Sequence, residues 1–194
     1  IYHLPDFEKR LKTLTFKERL YFSIMRSQYG VLFLTSMPGI AKSAITRTIA
    51  YKMGLQYIDI RLSMADETDM QFPSLVTREF ANKVKITVIE HAVPEWAVMS
   101  NDRPTLIHFE ELNRSSEAVR NAALQILLEG GIGYKFTFNK NVYMVSSGNL
   151  GLDDGTEVHE FDNATANRLI HLEHDLTTPE WLEWGQGIIH PDIL

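Results

Sequence analysis

The segment that most limits how this chain can fold runs from Val31 to Met53. An apolar run of strand length, Val31 to Thr35, enters a small-residue loop, Ser36-Met37-Pro38-Gly39-Ile40-Ala41-Lys42-Ser43, and leaves it in a helical stretch, Ala44 to Met53. A buried strand feeding a helix through a short loop belongs to the α/β class, in which ligands sit beyond the carboxyl ends of the strands. The loop follows the phosphate-binding pattern G-x-x-x-x-G-K-[ST] with two changes: Ser36 and Ala41 stand at the outer glycine positions, while Lys42 and Ser43 remain. In that pattern backbone N–H groups turn toward phosphate oxygens, the lysine reaches the terminal phosphates and the hydroxyl binds a magnesium ion. The candidate phosphate contacts are Pro38, Gly39, Ile40, Ala41, Lys42, Ser43 and Ala44, with Ser43 also a candidate metal ligand. A left-handed backbone would cost Ala41 roughly 1–2 kcal/mol, so a right-handed or helical conformation is expected there. The competing reading is a simple turn before a helix.

The rest of the chain repeats the alternation. Thr15 and Glu18 form a capping-box signature ahead of an amphipathic helix closed by Gly30. Gln56 to Arg61 alternates like a strand, and Lys83 to Ala92 suggests a hairpin inserted in a longer connection. Pro94 opens a short helix through Met99, and Thr105 to Phe109 is a buried strand ending in Glu110-Glu111. Ser115 caps a helix through Leu128, strands are expected over Tyr134 to Phe138 and Val142 to Ser146, and a last strand over Ile170 to Glu173. Thr178-Pro179-Glu180 opens a helix holding Trp181 and Trp184. The expectation is a doubly wound parallel sheet with helices on both faces.

Three further candidates fall at strand ends. Glu110 and Glu111 close an apolar strand, where one acid can support a metal and the next can orient or deprotonate an attacking water. Taken alone, such a pair also reads as a solvated strand end. Asn149, just past Val142 to Ser146, both donates and accepts, which suits a water beside a terminal phosphate; its bland alternative is a turn asparagine. Arg168 precedes the last strand and offers donors to a phosphoryl transition state, or is an ordinary surface arginine. The four signals in this order carry more weight together than singly.

Composition narrows the alternatives. At 194 residues, one domain is expected. The absence of cysteine excludes a disulfide framework, a thiol nucleophile and thiolate zinc sites. A formal charge of -6 provides no basic stripe, so nucleic acid is not indicated. No apolar run approaches the roughly 18 residues of a spanning helix. The chain opens at Ile1 without a basic-then-apolar leader, so no targeting signal is expected and a trimmed chain is. His108 reads as a hydrogen-bonded core histidine. His171 and His174 should point to opposite faces, Asp66, Glu67 and Asp69 read as a solvated loop, and the tryptophans as packing or interface anchors.

The strings Met37 to Ser43, Phe109-Glu110-Glu111-Leu112-Asn113-Arg114, Gly148-Asn149 and Ala166-Asn167-Arg168-Leu169 resemble the Walker A, Walker B, sensor 1 and arginine-finger segments of MoxR-like AAA+ ATPases, over roughly residues 15 to 194. The resemblance implies a P-loop NTPase core over residues 1–180, with 181–194 beginning the connection to a missing α-helical lid. It implies ATP and Mg2+ as ligands, Glu110 supporting the metal, Glu111 activating water, Asn149 sensing the terminal phosphate and Arg168 serving a neighbouring subunit. It further implies a cytoplasmic homo-oligomeric ring, expected as a hexamer, acting on a protein partner. The chain departs from the family at Glu110, where Asp is usual, at Ser36, where Gly is usual, and in the absent lid. Two other functions compete: a nucleotide-dependent assembly module with slow or no hydrolysis, and a small-molecule P-loop kinase, for which no acceptor-binding lid is recognisable. GTP is the alternative nucleotide, because a phosphate loop does not read the base.

Overall fold

A computed structural model describes residues 15–26, 30–151, 158–174, 179 and 182. Trp181 and Trp184 lie outside the described residues, and of the helix expected around them only Pro179 and Leu182 are described, both helical. Helix α1 (Phe16–Arg26) starts on the expected capping box: the Thr15 N–H donates to Glu18 Oε2 at 2.8 Å, and the Glu18 N–H returns to Thr15 Oγ1 at 3.3 Å. Strand β1 (Val31–Ser36) follows, then α2 (Lys42–Lys52) and β2 (Gln56–Arg61). A one-turn helix α3 (Glu67–Met70) leads into the inserted hairpin β3 (Phe72–Glu79) and β4 (Lys85–Ala92). Helix α4 (Glu95–Ser100) and strand β5 (Thr105–Glu110) come next, followed by α5 (Glu117–Glu129). The chain continues through β6 (Gly131–Ile132), β7 (Phe136–Thr137), β8 (Val142–Asn149), α6 (Asn163–Ala166) and β9 (Leu169–Glu173).

Five strands form one parallel sheet in the order β2-β5-β8-β1-β9. The chain leaves β1 for the β2 edge, returns through β5 and β8, and crosses β1 to lay down β9. Such a sheet is covered on both faces, which is why β5 is buried at all six positions, its polar Thr105, His108 and Glu110 included. Leu32, Leu34, Leu106 and Val145 pack under Leu20 and Ile24 of α1 and Ile45, Ile49 and Ala50 of α2. On the opposite face Val31, Phe33, Ile107 and Phe109 pack against Val119, Ala123, Ile126 and Leu127 of α5. Each of the buried Val, Leu, Ile and Phe side chains contributes about 1.5–3 kcal/mol. Together the two layers make the doubly wound architecture expected from the alternating pattern.

Some local expectations are corrected. The α5 cap is Ser116, whose side chain accepts from the Val119 N–H, while the Ser115 hydroxyl donates to the Leu112 carbonyl at 2.8 Å. Asn149 is the last residue of β8 rather than a residue beyond it. The strand expected over Tyr134 to Phe138 shrinks to the two residues of β7, because the chain turns through Gly133 (φ 58°) to pair them with β6. The inserted hairpin is longer than its sequence signal, with eight paired positions from Phe72 opposite Ala92 to Glu79 opposite Lys85. Glu90 anchors it to the body by accepting from Lys135 Nζ at 2.9 Å.

Candidate functional site

The expected phosphate loop links β1 to α2, at the carboxyl edge of the sheet. Gly39 has φ 80°, a conformation that favours glycine, and a side chain there would meet nothing within 4 Å, so backbone and not space selects it. Ala41 also has a left-handed backbone, φ 52° and ψ 29°, as the N-cap of α2. The expectation of a right-handed or helical Ala41 is therefore wrong: the chain keeps the turn that glycine would adopt and carries the strain of a Cβ, roughly 1–2 kcal/mol. The reason is positional, since Ala41 must deliver the chain into α2 while its carbonyl accepts the first helical bond, from Ile45 at 2.9 Å. Ser43 and Ala44 lie in the first turn of α2, whose unpaired N–H groups and dipole favour an anion.

Lys42 Nζ lies over the start of the loop. It donates to the Ser36 carbonyl at 3.1 Å, Ser36 Oγ at 2.9 Å, the Met37 carbonyl at 3.2 Å and Asn149 Oδ1 at 3.1 Å. The last contact joins positions 107 apart in sequence and exists because β1 and β8 are neighbours, with Ser36 in register with Asn149. Asn149 is held in turn by Asn113, whose Nδ2 donates to its carbonyl at 2.8 Å and whose Oδ1 accepts its N–H at 3.2 Å. The Asn113 carbonyl accepts the His159 N–H at 2.8 Å, so one residue ties the segment after β5 to β8 and to the 158–160 stretch.

Glu110 ends β5 with its carboxylate buried. Oε2 lies 3.6 Å from Arg61 of β2, while Oε1 is buried 3.6 Å from His108 Nδ1, beyond hydrogen-bond reach, with no hydrogen-bond partner among the described residues. An orphaned carboxylate oxygen at a strand end fits a divalent cation, which takes oxygen ligands and offsets the cost of burying the charge. Of the two expected metal ligands, Glu110 offers this oxygen and Ser43 a hydroxyl in the first turn of α2. Glu111 has a left-handed backbone (φ 58°), and its carboxylate sits 3.4 Å from Arg114 Nη1, a long contact at the surface. Non-glycine residues held at positive φ concentrate at functional sites, and Ala41 and Glu111 are two of the three among the described residues.

Beneath Glu110 lies His108, fully buried as expected of a core histidine. Nδ1 pairs with the Tyr57 hydroxyl at 2.8 Å and Nε2 with Ser147 Oγ at 2.9 Å, a chain that crosses β2, β5 and β8. Burial, and then the cations Lys42 and Arg47, push its pKa down to about 3, so the ring is neutral near pH 7. Burial raises the Tyr57 phenol, followed by the charge of Glu110.

Arg168 stands apart from this group. It precedes β9, whose Leu169 pairs with Val31 at the start of β1, whereas the loop leaves β1 at Ser36. Along a strand that separation is roughly 16 Å at about 3.3 Å per residue. Arg168 is exposed and lines a cleft of about 480 Å³ with Gln125, Leu128, Glu129 and Thr165. His171 and His174 do point to opposite sides: His171 meets Phe33 edge-on, and His174 stacks on Phe16 of α1. Asp69 accepts the Asp66 N–H at 2.8 Å, which accounts for two of the three acids in that loop as a helix start.

Sequence reasoning passed over Asn113, Tyr57 and Ser147, and read Ser36 only as a departure from the loop pattern. Only Gly148 signalled the first, because an interior strand glycine marks a close approach: a Cβ there would overlap Asn113 Oδ1 and sit 2.7 Å from Phe33 Cζ.

No protein-family model and no curated protein matches the chain. Among solved structures it is similar to a "putative ATPase" from Cytophaga hutchinsonii ATCC 33406, with a TM-score of 0.59 and 21% identity over 91% of this chain. The chain spans half the length of that protein. The sheet order, the loop between β1 and α2 and this likeness define an α/β fold with a five-stranded parallel sheet, shared with that protein.

Proposed function

We propose that the chain is the nucleotide-binding core of a MoxR-like AAA+ ATPase, which binds ATP with Mg2+ and couples hydrolysis to the remodelling or activation of a partner protein. The observation that carries this reading is the meeting of Lys42 and Asn149 at 3.1 Å at the carboxyl ends of β1 and β8, with the buried acid Glu110 ending the adjacent β5. In this reading the N–H groups of loop residues 39–44 cradle phosphate, Lys42 neutralises the terminal phosphates, and Ser43 and Glu110 hold the cation. Bound there, Mg2+ would supply charge neutralisation of the phosphates. Glu111 orients the attacking water, Asn149 holds it beside the terminal phosphate, and Arg168 completes the site of a neighbouring copy in a ring.

Binding of Mg·ATP measured by calorimetry tests the reading. Lys42→Ala should abolish it, and equal affinity in the wild type and the variant would overturn the assignment. Hydrolysis of ATP and GTP, followed across protein concentration with the solution mass, then separates a ring enzyme from a monomeric one. One observation favours the slow assembly module as a second reading: Glu111, the expected water-activating acid, is turned toward Arg114. Turnover near zero in a nucleotide-assembled ring would select it.

A further inference from the structure

We propose that Ser36 is a positioning residue that parks Lys42 on the loop itself, so that phosphate must compete for the ammonium. The inference rests on the nucleotide-binding reading above and extends it to a residue that reading leaves unassigned.

The bonding pattern carries the argument. Ser36 is fully buried, and its hydroxyl proton is directed at the Met37 carbonyl, 3.0 Å away. A hydroxyl has one proton and two acceptor lone pairs, so toward Lys42 Nζ, 2.9 Å away, Ser36 Oγ acts as an acceptor. The Ser36 and Met37 carbonyls and Asn149 Oδ1 complete a set of four oxygens within 3.2 Å of an ammonium that has three protons. Four inward-facing acceptors satisfy the cation as phosphate oxygens would. A residue without a side-chain oxygen at position 36 would remove the shortest of these four contacts.

Two consequences follow. Phosphate must take Lys42 from a satisfied site, so the Ser36 hydroxyl lowers nucleotide affinity. Because Asn149 Oδ1 belongs to the same set, departure of Lys42 releases the Asn149 side chain while Asn113 keeps its backbone fixed. Arrival of phosphate at the loop thereby frees the amide that faces the terminal phosphate.

The test uses Ser36→Ala and Ser36→Gly in the full chain, with two readouts. Without nucleotide, acylation of Lys42 by an amine-reactive ester, followed by mass spectrometry, should be about threefold faster or more in both variants. With nucleotide, the Kd for Mg·ATP should fall about fivefold, the effect of losing one charge-assisted hydrogen bond from the empty state. A loop merely loosened by the substitution would bind ATP more weakly, the opposite sign. An unchanged labelling rate overturns the parking contact, and faster labelling with unchanged or weaker ATP affinity overturns the competition. A wild type that binds no ATP overturns the nucleotide reading, and with it the competition, while the labelling rates still decide whether Ser36 holds Lys42.

Discussion

The side chain of Asn113 bonds both backbone polar groups of Asn149, donating to its carbonyl at 2.8 Å and accepting its N–H at 3.2 Å. This two-way clamp needs Gly148, since any Cβ there would overlap Asn113 Oδ1. Gly148→Ala should therefore force the clamp open and destabilise the fold by about 1–3 kcal/mol through overpacking. Asn113→Ala leaves two backbone groups of a buried residue unpaired, at about 1–3 kcal/mol each. Urea denaturation reads both losses. Because Asn149 would be misplaced, turnover should fall in each variant by more than nucleotide affinity does. Wild-type stability in both would show that the clamp holds nothing.

Ala41 gives a prediction of opposite sign. Its φ of 52° costs a side-chain-bearing residue roughly 1–2 kcal/mol, and glycine would relieve this at about 0.4–1 kcal/mol of extra unfolded-state entropy. Ala41→Gly should stabilise the chain by up to about 1 kcal/mol. Ala41→Val should instead destabilise it by more than about 1 kcal/mol, because a β-branched residue is a true outlier there. Thermal midpoints of the three chains check the order. An Ala41→Val chain as stable as the wild type would mean that the turn relaxes.

These two positions show what the sequence could and could not reveal. The strand, loop and helix around Lys42 were legible because apolar periodicity and small residues act locally. The same holds for the Thr15–Glu18 capping box and for the buried His108. Ala41 misled because the steric cost of a left-handed backbone argues for a right-handed residue, whereas the loop geometry that feeds α2 overrides it. Asn113 was invisible for another reason: its partner is 36 residues away, and its role exists only once β5 and β8 lie side by side. Likewise Tyr57 and Ser147 become partners of His108 through strand order, at separations of 51 and 39 residues.

His108 sets a pH dependence. Its folded pKa, about 3, lies below the ordinary 6.5, so between those values the unfolded chain binds a proton that the folded chain does not. Stability therefore rises with pH across that window, by up to about 1.4 kcal/mol per unit, and this contribution is fully present above about pH 6.5. It is lost progressively as pH falls toward 3. Lys42 and Arg47 reinforce the effect by repelling the imidazolium. His108→Gln should flatten the difference between about pH 7 and pH 5 in denaturant titrations, even if the variant is less stable overall. An identical pH profile in both chains would place the titrating group elsewhere.

Arg168 stands at the amino end of β9, while Lys42, Glu110 and Asn149 lie at the carboxyl ends of the other strands. The length of a strand separates the two regions, so within one copy the guanidinium is badly placed to meet a nucleotide over the loop. Its exposure leaves it available to a second copy. If it serves a neighbour's site, it stabilises charge that develops only in the transition state, and Arg168→Ala should lower turnover by about 10³-fold or more while leaving ATP affinity nearly unchanged. Mixing Arg168→Ala with Glu111→Gln chains should then restore part of the turnover, because some interfaces combine an intact Glu111 with an intact Arg168 from the adjacent copy. Neither variant alone can do so. Turnover by a dilute monomer equal to that of the assembled protein, or no recovery in rings shown by mass to be mixed, would remove Arg168 from the mechanism and leave it a surface residue of the α5 cleft.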